Sequence, residues 1–399
     1  MSISPLLRHN HFAAATILIL VSASWSFAQK KADPAGKIDL RVGDRVTLLG
    51  GTLIERMQLH NYLEALLTSG FADRELTFRN LGWSGDNVFG HARAVFGAPN
   101  DGFKRLEKDV DQTKPTTFVL HYGSNEAHQG EAHLQTFIAG YQRLLDTLAK
   151  RSPRMIIILP RPYETKSPPL PDPKDYNEKL QLYRDAIQEL AMQRGIPTID
   201  LAQVLANATD NGVHPTPAGH LLFAQSLAGQ IGLRAQPWQA SIDAKSGAQE
   251  SAGVALTQIN AKPTQVTMTL QSDLLMNNEG GPANTLRVTS LKPGKYALVV
   301  DGKEQLVASA SQWANGVKLN LSQDTQQFET LRREIHDKNE LFFHRHRPQN
   351  ETYLFLFRKH EQGNNAVEIP QFDPLIATKE AEIAKLKRPH SHRLEIRRQ

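Results

Sequence analysis

Val46-Thr47-Leu48-Leu49-Gly50-Gly51-Thr52 is an apolar run closed by two glycines, and from Ile54 to Leu67 the apolar residues fall at helical spacing. Successive apolar residues suit a strand covered on both faces, and a glycine pair permits a sharp exit into a helix. The same unit recurs downstream. Leu76 to Leu81 reads as a second strand, and Thr117-Phe118-Val119-Leu120-His121 as a third, ended by Gly123. Met155 to Leu159 reads as a fourth, and Ile196 to Leu201 holds a fifth. Between them Leu134, Phe137, Tyr141, Leu144 and Leu148 mark one helix face, and Tyr176, Leu180, Tyr183, Ile187 and Leu190 another. A last helix runs from Ala218 to Ile231. Continuously apolar strands alternating with amphipathic helices predict a three-layer α/β/α domain over residues 38–235, with a parallel sheet and right-handed crossovers. In such sheets ligands sit beyond the carboxyl ends of the strands.

The pattern changes after Gly232. Thr264 to Leu270, Thr285 to Val288, Tyr296 to Val300 and Val317 to Leu321 are short and β-branched, with turns such as Lys292-Pro293-Gly294 between them. They predict a small antiparallel β domain over 236–325. Residues 326–399 read as a helical and irregular extension: Phe328 to His346 is helical and charged, Lys379 to Leu386 is a short helix, and the basic end is a solvated tail. Pro160 to Pro173 is proline-rich and reads as a loop near the same sheet edge, a rigid connection with a wall of the substrate site as the lesser alternative.

A chain of 399 residues, 40% apolar, with a net charge of +5 concentrated in its tail, fits a soluble protein of more than one domain and argues against nucleic acid as partner. Arg8 and His9, the apolar stretch Phe12 to Val21 and the small residues of Ser26-Phe27-Ala28 read as a secretory signal over 1–28. The stretch is too short to span a bilayer comfortably, so a single membrane anchor is the lesser alternative. The mature chain is expected outside the cytoplasm, secreted or periplasmic, without stable membrane insertion. There is no cysteine to form a disulfide. No phosphate loop or dinucleotide fingerprint is present, and His344-Arg345-His346 reads as a solvated face rather than a metal site. No cofactor or metal is implied, and nothing fixes an oligomeric state.

The candidate chemistry lies in the turns after the strands. Asp210-Asn211-Gly212-Val213-His214-Pro215 is a turn before a helix, where a neutral imidazole faces a cleft and can take a hydroxyl proton. Asn211 or Asp210 is placed to hold its other nitrogen. Thr52 leaves a strand and enters a helix, where backbone N–H groups favour an attacking oxygen. With Glu55 three residues on, Thr52 equally reads as a capping box. The Gly85 amide and the Asn125 side chain are candidate oxyanion donors, each weak alone, since such residues fill turns everywhere.

These segments resemble the blocks of the SGNH (GDSL-type) hydrolases. Gly50-Gly51-Thr52 stands where the family has Gly-Asp-Ser, Gly85 falls on the second-block glycine, Gly123-Ser124-Asn125-Glu126 matches Gly-x-Asn-Asp, and Asn211-Gly212-Val213-His214 matches Asp-x-x-His. The resemblance covers about half the chain; the whole chain looks more loosely like secreted planctomycete-type members with a C-terminal extension. It implies a flavodoxin-like α/β/α fold and metal-free hydrolysis of small-molecule or polysaccharide esters, including carbohydrate deacetylation, through an acyl-enzyme. Two positions depart from it. Threonine keeps the hydroxyl but adds a methyl; asparagine loses the charge that stabilises imidazolium, a change that costs about 10⁴ in turnover in a serine-protease triad. The alternative expectation is therefore a weakened member of the family that binds glycans or a partner.

Overall fold

The computed structural model describes residues 38–399 apart from 205–206, 235, 277–282, 362 and 364. The predicted signal, 1–28, lies outside the described residues.

Five parallel strands form the first sheet: β1 (Arg45–Gly50), β2 (Thr77–Asn80), β3 (Thr117–His121), β4 (Met155–Ile158) and β5 (Thr198–Ile199). Their order is β2-β1-β3-β4-β5. This is the flavodoxin-like order, whose direction reverses between β1 and β3. There Gly50 pairs with His121, so the turns after these two strands open side by side.

Alternate side chains of each strand enter different cores, which is why the strands read as unbroken apolar runs. Val46, Leu48, Val119, Ile156 and Ile158 pack under α1 (Thr52–His60), α2 (Tyr62–Gly70) and α6 (Pro217–Gln230). Leu49, Phe118, Leu120 and Ile157 pack under α3 (Pro99–Thr113), α4 (Leu134–Ala149) and α5 (Lys174–Arg194) on the other face.

Two features of this part depart from the sequence reading. The single helix expected from Ile54 to Leu67 is two, broken at Asn61, which adopts left-handed φ 56°. Its side chain donates to the Gln58 carbonyl (2.6 Å) and accepts from Asn339 (2.7 Å), so a distant residue stabilises the break. The helix α3 was not anticipated: it starts at Pro99, and its mean character is polar, with Phe103, Leu106 and Val110 as its buried stripe.

The remaining chain builds two further sheets. Strands β6 (Gln239–Asp243), β7 (Gln249–Ala252), β10 (Asn284–Thr289) and β13 (Val317–Leu319) form one, in the order β13-β10-β6-β7, with β10 parallel to β6. Strands β8 (Val254–Lys262), β9 (Gln265–Ser272), β11 (Lys295–Val300), β12 (Lys303–Ser309) and β14 (Ser391–Arg398) form the other. Its middle strand is β14, paired antiparallel with both β9 and β11. The basic end is thus not a solvated tail. Leu394 and Ile396 alternate with its charges and join Trp238, Leu298 and Trp313 in one core. The sheet therefore crosses the boundary drawn at residue 325.

Helices α7 (Ala310–Asn315), α8 (Ser322–His346), α9 (Glu351–Leu354) and α10 (Phe372–Leu386) complete the chain. The long α8 lies along the β2 side of the first sheet. Phe328, Leu331 and Ile335 enter one core and Phe342 the other. Its Lys338, 1% exposed, ion-pairs with Glu64 and donates to the Phe78 carbonyl at 3.2 Å. Among the described residues no helix is long and apolar enough to cross a membrane.

Candidate active site

A pocket of about 160 Å³ opens where the strand order reverses, and Thr52, Asn125 and His214 all line it. Each arrives from a different turn. Thr52 is the first residue of α1, directly after β1. The cap position belongs to Gly51, and no side chain caps this helix. The expected capping box is not formed, because the Glu55 carboxylate turns instead to the Ser84 amide, at 2.8 Å. The Thr52 hydroxyl stays in the pocket and accepts the Gly85 N–H at 3.4 Å.

Gly85 needs its identity. Its φ of +75° lies in the region that side-chain-bearing residues disfavour. Nearby Gly82 is required for close approach, since a Cβ there would collide with the Glu55 backbone. Asn125 follows β3, and its Nδ2 donates to the Asp86 carbonyl at 2.6 Å. That amide nitrogen is 3.4 Å from where a Cβ on Gly51 would lie, beside the Thr52 turn. The structure therefore brings Thr52, Gly85 and Asn125 together.

His214 reaches the same pocket from the loop before α6. Burial lowers its pKa first, then the Arg56 guanidinium, against an upward pull from Asp210 and with a further lowering from Arg161. The imidazole is neutral at neutral pH, the form a base requires. Among the described residues no hydrogen bond joins its ring to the Thr52 hydroxyl.

Asn211 does not hold the imidazole. Its Oδ1 accepts the backbone N–H groups of Val213 (3.0 Å) and His214 (2.8 Å), shaping the loop around Gly212, where φ is +83°. Asp210 opposes the lowering of the ring's pKa through its charge alone, with no hydrogen bond from its carboxylate to the imidazole among the described residues.

Several residues of the site were not anticipated. Arg161, in the segment after β4, is 7% exposed and donates to the Val213 carbonyl at 2.7 Å, fixing the histidine loop from below. Tyr163 lines the pocket and stacks on Tyr176 with ring centroids 4.1 Å apart. Asp86 follows Gly85 in the same turn. It is 1% exposed and ion-paired at 2.7 Å to Arg93, itself 1% exposed. Glu126 accepts from the Val88 (2.9 Å) and Gly123 (3.0 Å) amides, tying two pocket turns together. Burial, outweighing those bonds, raises its carboxyl to about 7. His121, on the pocket floor, is held neutral by burial, pushed down to about 4.

Residues 42–222 match the family model of the GDSL-like lipases and acylhydrolases. This segment holds every pocket residue and the whole parallel sheet. No curated protein matches the sequence. Among solved structures, the fold is similar to that of a gut microbial diltiazem-metabolizing enzyme, with TM-score 0.70 and 16% identity over 90% of this chain and 99% of that one. An acetylxylan esterase from Geobacillus stearothermophilus matches with TM-score 0.39 and 16% identity, over 50% of this chain and 98% of its own. An α/β hydrolase from the metagenome of Lake Arreo, Spain, matches with TM-score 0.38 and 19% identity, over 49% and 98%.

Proposed function

We propose that this protein is an SGNH-type ester hydrolase acting on small-molecule or carbohydrate esters outside the cytoplasm. The observation that carries the reading is the meeting of a hydroxyl, the Asn125 amide and a neutral imidazole in one pocket, with the Gly85 N–H donated to that hydroxyl, within a segment matching a hydrolase family.

In this reading the Thr52 hydroxyl attacks the ester carbonyl while His214 takes its proton. The new C–O bond turns the carbonyl oxygen into an oxyanion, which receives N–H groups from Gly85, from the free amide hydrogen of Asn125 and from the start of α1. Donors of this kind contribute roughly 3 kcal/mol each to lowering the barrier. The imidazolium, steadied by Asp210, returns its proton to the departing alcohol as the ester bond breaks. Water, deprotonated by His214, then releases the acid and restores Thr52. Asn211 serves the loop, so the carboxylate role passes to Asp210.

Nitrophenyl acetate tests this. Turnover abolished in both His214→Ala and Thr52→Ala supports it; turnover unchanged in Thr52→Ala eliminates this nucleophile. The second reading, a glycan-binding protein with little turnover, is favoured by the Asn211 contacts and by the missing hydrogen bond between Thr52 and His214. Glycan binding that survives His214→Ala, with no ester cleaved, would establish it.

A further inference from the structure

We infer that Arg347, at the end of α8, is a positioning residue for the oxyanion turn, so that the C-terminal extension completes the catalytic apparatus. The inference rests on the reading of Gly85 as an oxyanion donor. Arg347 lies far outside the segment that matches the hydrolase family, yet it meets the turn that carries Gly85 through two routes.

The first route is ionic. Arg347 Nη1 is 2.6 Å from Glu55 Oε1. The other oxygen of the same carboxylate accepts the Ser84 amide at 2.8 Å and also the Ser84 hydroxyl. Glu55 stands on α1 three residues after Thr52, so one carboxylate links the nucleophile's helix, the oxyanion turn and the extension. The second route is a stack. The Arg347 guanidinium carbon is 3.7 Å from the centroid of the Trp83 ring, while Arg93 approaches the same ring at 5.2 Å. A planar guanidinium over an indole face is attracted by the ring's quadrupole and packs flat against it, which a lysine ammonium does not do. Trp83 is also fixed by its backbone, donating to the Gly50 carbonyl at 2.9 Å.

Asp86, on the far side of the turn, donates its N–H to the Trp83 carbonyl (2.9 Å) and holds Arg93 through its carboxylate. Residues 83, 84 and 86 are thus tethered, and the Gly85 amide is the one aimed at Thr52. Arg347 is itself anchored: its N–H donates to the Phe343 carbonyl (2.8 Å), and Arg105 binds the neighbouring His346 carbonyl (2.7 Å) and Glu351. An oxyanion donor works only when preorganised, and removing one outright costs about 10²–10³ in turnover. A clamp that merely loosens the donor should cost less than its removal.

The test compares full-length wild type with Arg347→Ala and Arg347→Lys by amide hydrogen exchange and by nitrophenyl acetate kinetics. Lysine keeps the charge toward Glu55 but loses the planar stack. In Arg347→Ala the Ser84 amide should exchange at least ~10-fold faster, with strand β14 unchanged as the control. In the same variant kcat should fall about 10–50-fold with KM within about 3-fold, and Arg347→Lys should recover part of both losses. Unchanged exchange over residues 83–86 overturns the clamp. Faster exchange with unchanged kcat overturns its catalytic relevance. If wild type cleaves no ester, the hydrolase reading fails, and the exchange measurement still decides whether Arg347 orders the turn. If Arg347→Ala does not fold, the lysine variant decides: wild-type exchange and kcat in it would remove the stack from the argument and overturn the clamp as drawn.

Discussion

Raising the pH should weaken the C-terminal sheet through one side chain, His392. It sits on β14 with both ring nitrogens facing carboxylates, Asp301 at 2.7 Å and Asp324 at 2.9 Å. Asp301 lies in the turn between β11 and β12, and Asp324 in the first turn of α8, so the imidazolium joins sheet to helix. The Asp324 bond, with help from Asp301 and against the cost of burial, raises His392 from 6.5 to about 9. A folded-state value above the unfolded one means stability fully present below about pH 6.5 and lost as pH rises through about 9. At about 1.4 kcal/mol per unit the gap amounts to about 3 kcal/mol; solvent around the Asp301 carboxylate, 32% exposed, trims this to about 2. Urea unfolding of wild type and His392→Gln, followed by tryptophan emission, measures it, because Trp238 and Trp313 belong to the same core. Wild type should exceed the variant by about 2 kcal/mol near pH 6, and the difference should vanish near pH 10. A difference that stays constant across that range would show that the pair of carboxylates does not hold the proton, and the reasoning would fail.

Other outcomes follow from the pocket. Because burial and Arg56 lower His214, the acid limb of kcat/KM should fall below pH 6.5; Asp210→Asn should move it further down and Arg56→Gln up. A limb above 6.5 would mean another group is the base. Thr52→Ser and Asn211→Asp should each raise kcat, on the order of 10-fold, the first by removing the methyl and the second by adding charge beside His214 while keeping both loop bonds. A fall in both would show that the two departures from the family pattern are adaptations. Asp86→Ala should destabilise the fold by about 3–5 kcal/mol, because it leaves Arg93, at 1% exposure, without its closest carboxylate; a loss below 1 kcal/mol in urea unfolding would refute that account.

The sequence by itself determined the parallel sheet and the address of the pocket. A strand covered on both faces must be apolar at every position, and that leaves an unbroken run such as Phe118-Val119-Leu120 visible in one dimension. The pocket turns reach positive φ at Gly85, Gly123 and Gly212, where glycine is the least strained residue, and that leaves a mark in the sequence. Local spacing also exposed Thr52, Asn125 and His214. What tertiary structure decided was which side chain meets which. Spacing carries the face a residue occupies and not its partner, so Asn211 could not be read as a loop brace, and the choice between Asn211 and Asp210 stayed open. Helix α3 hid because its buried stripe holds just three large apolar side chains, Phe103, Leu106 and Val110, in a polar segment, and β14 hid because charges alternate with its two apolar residues. The contact of Arg347 with Glu55 spans 292 positions. A pairing at that separation leaves no periodic trace, because it exists only once α8 has packed along the sheet.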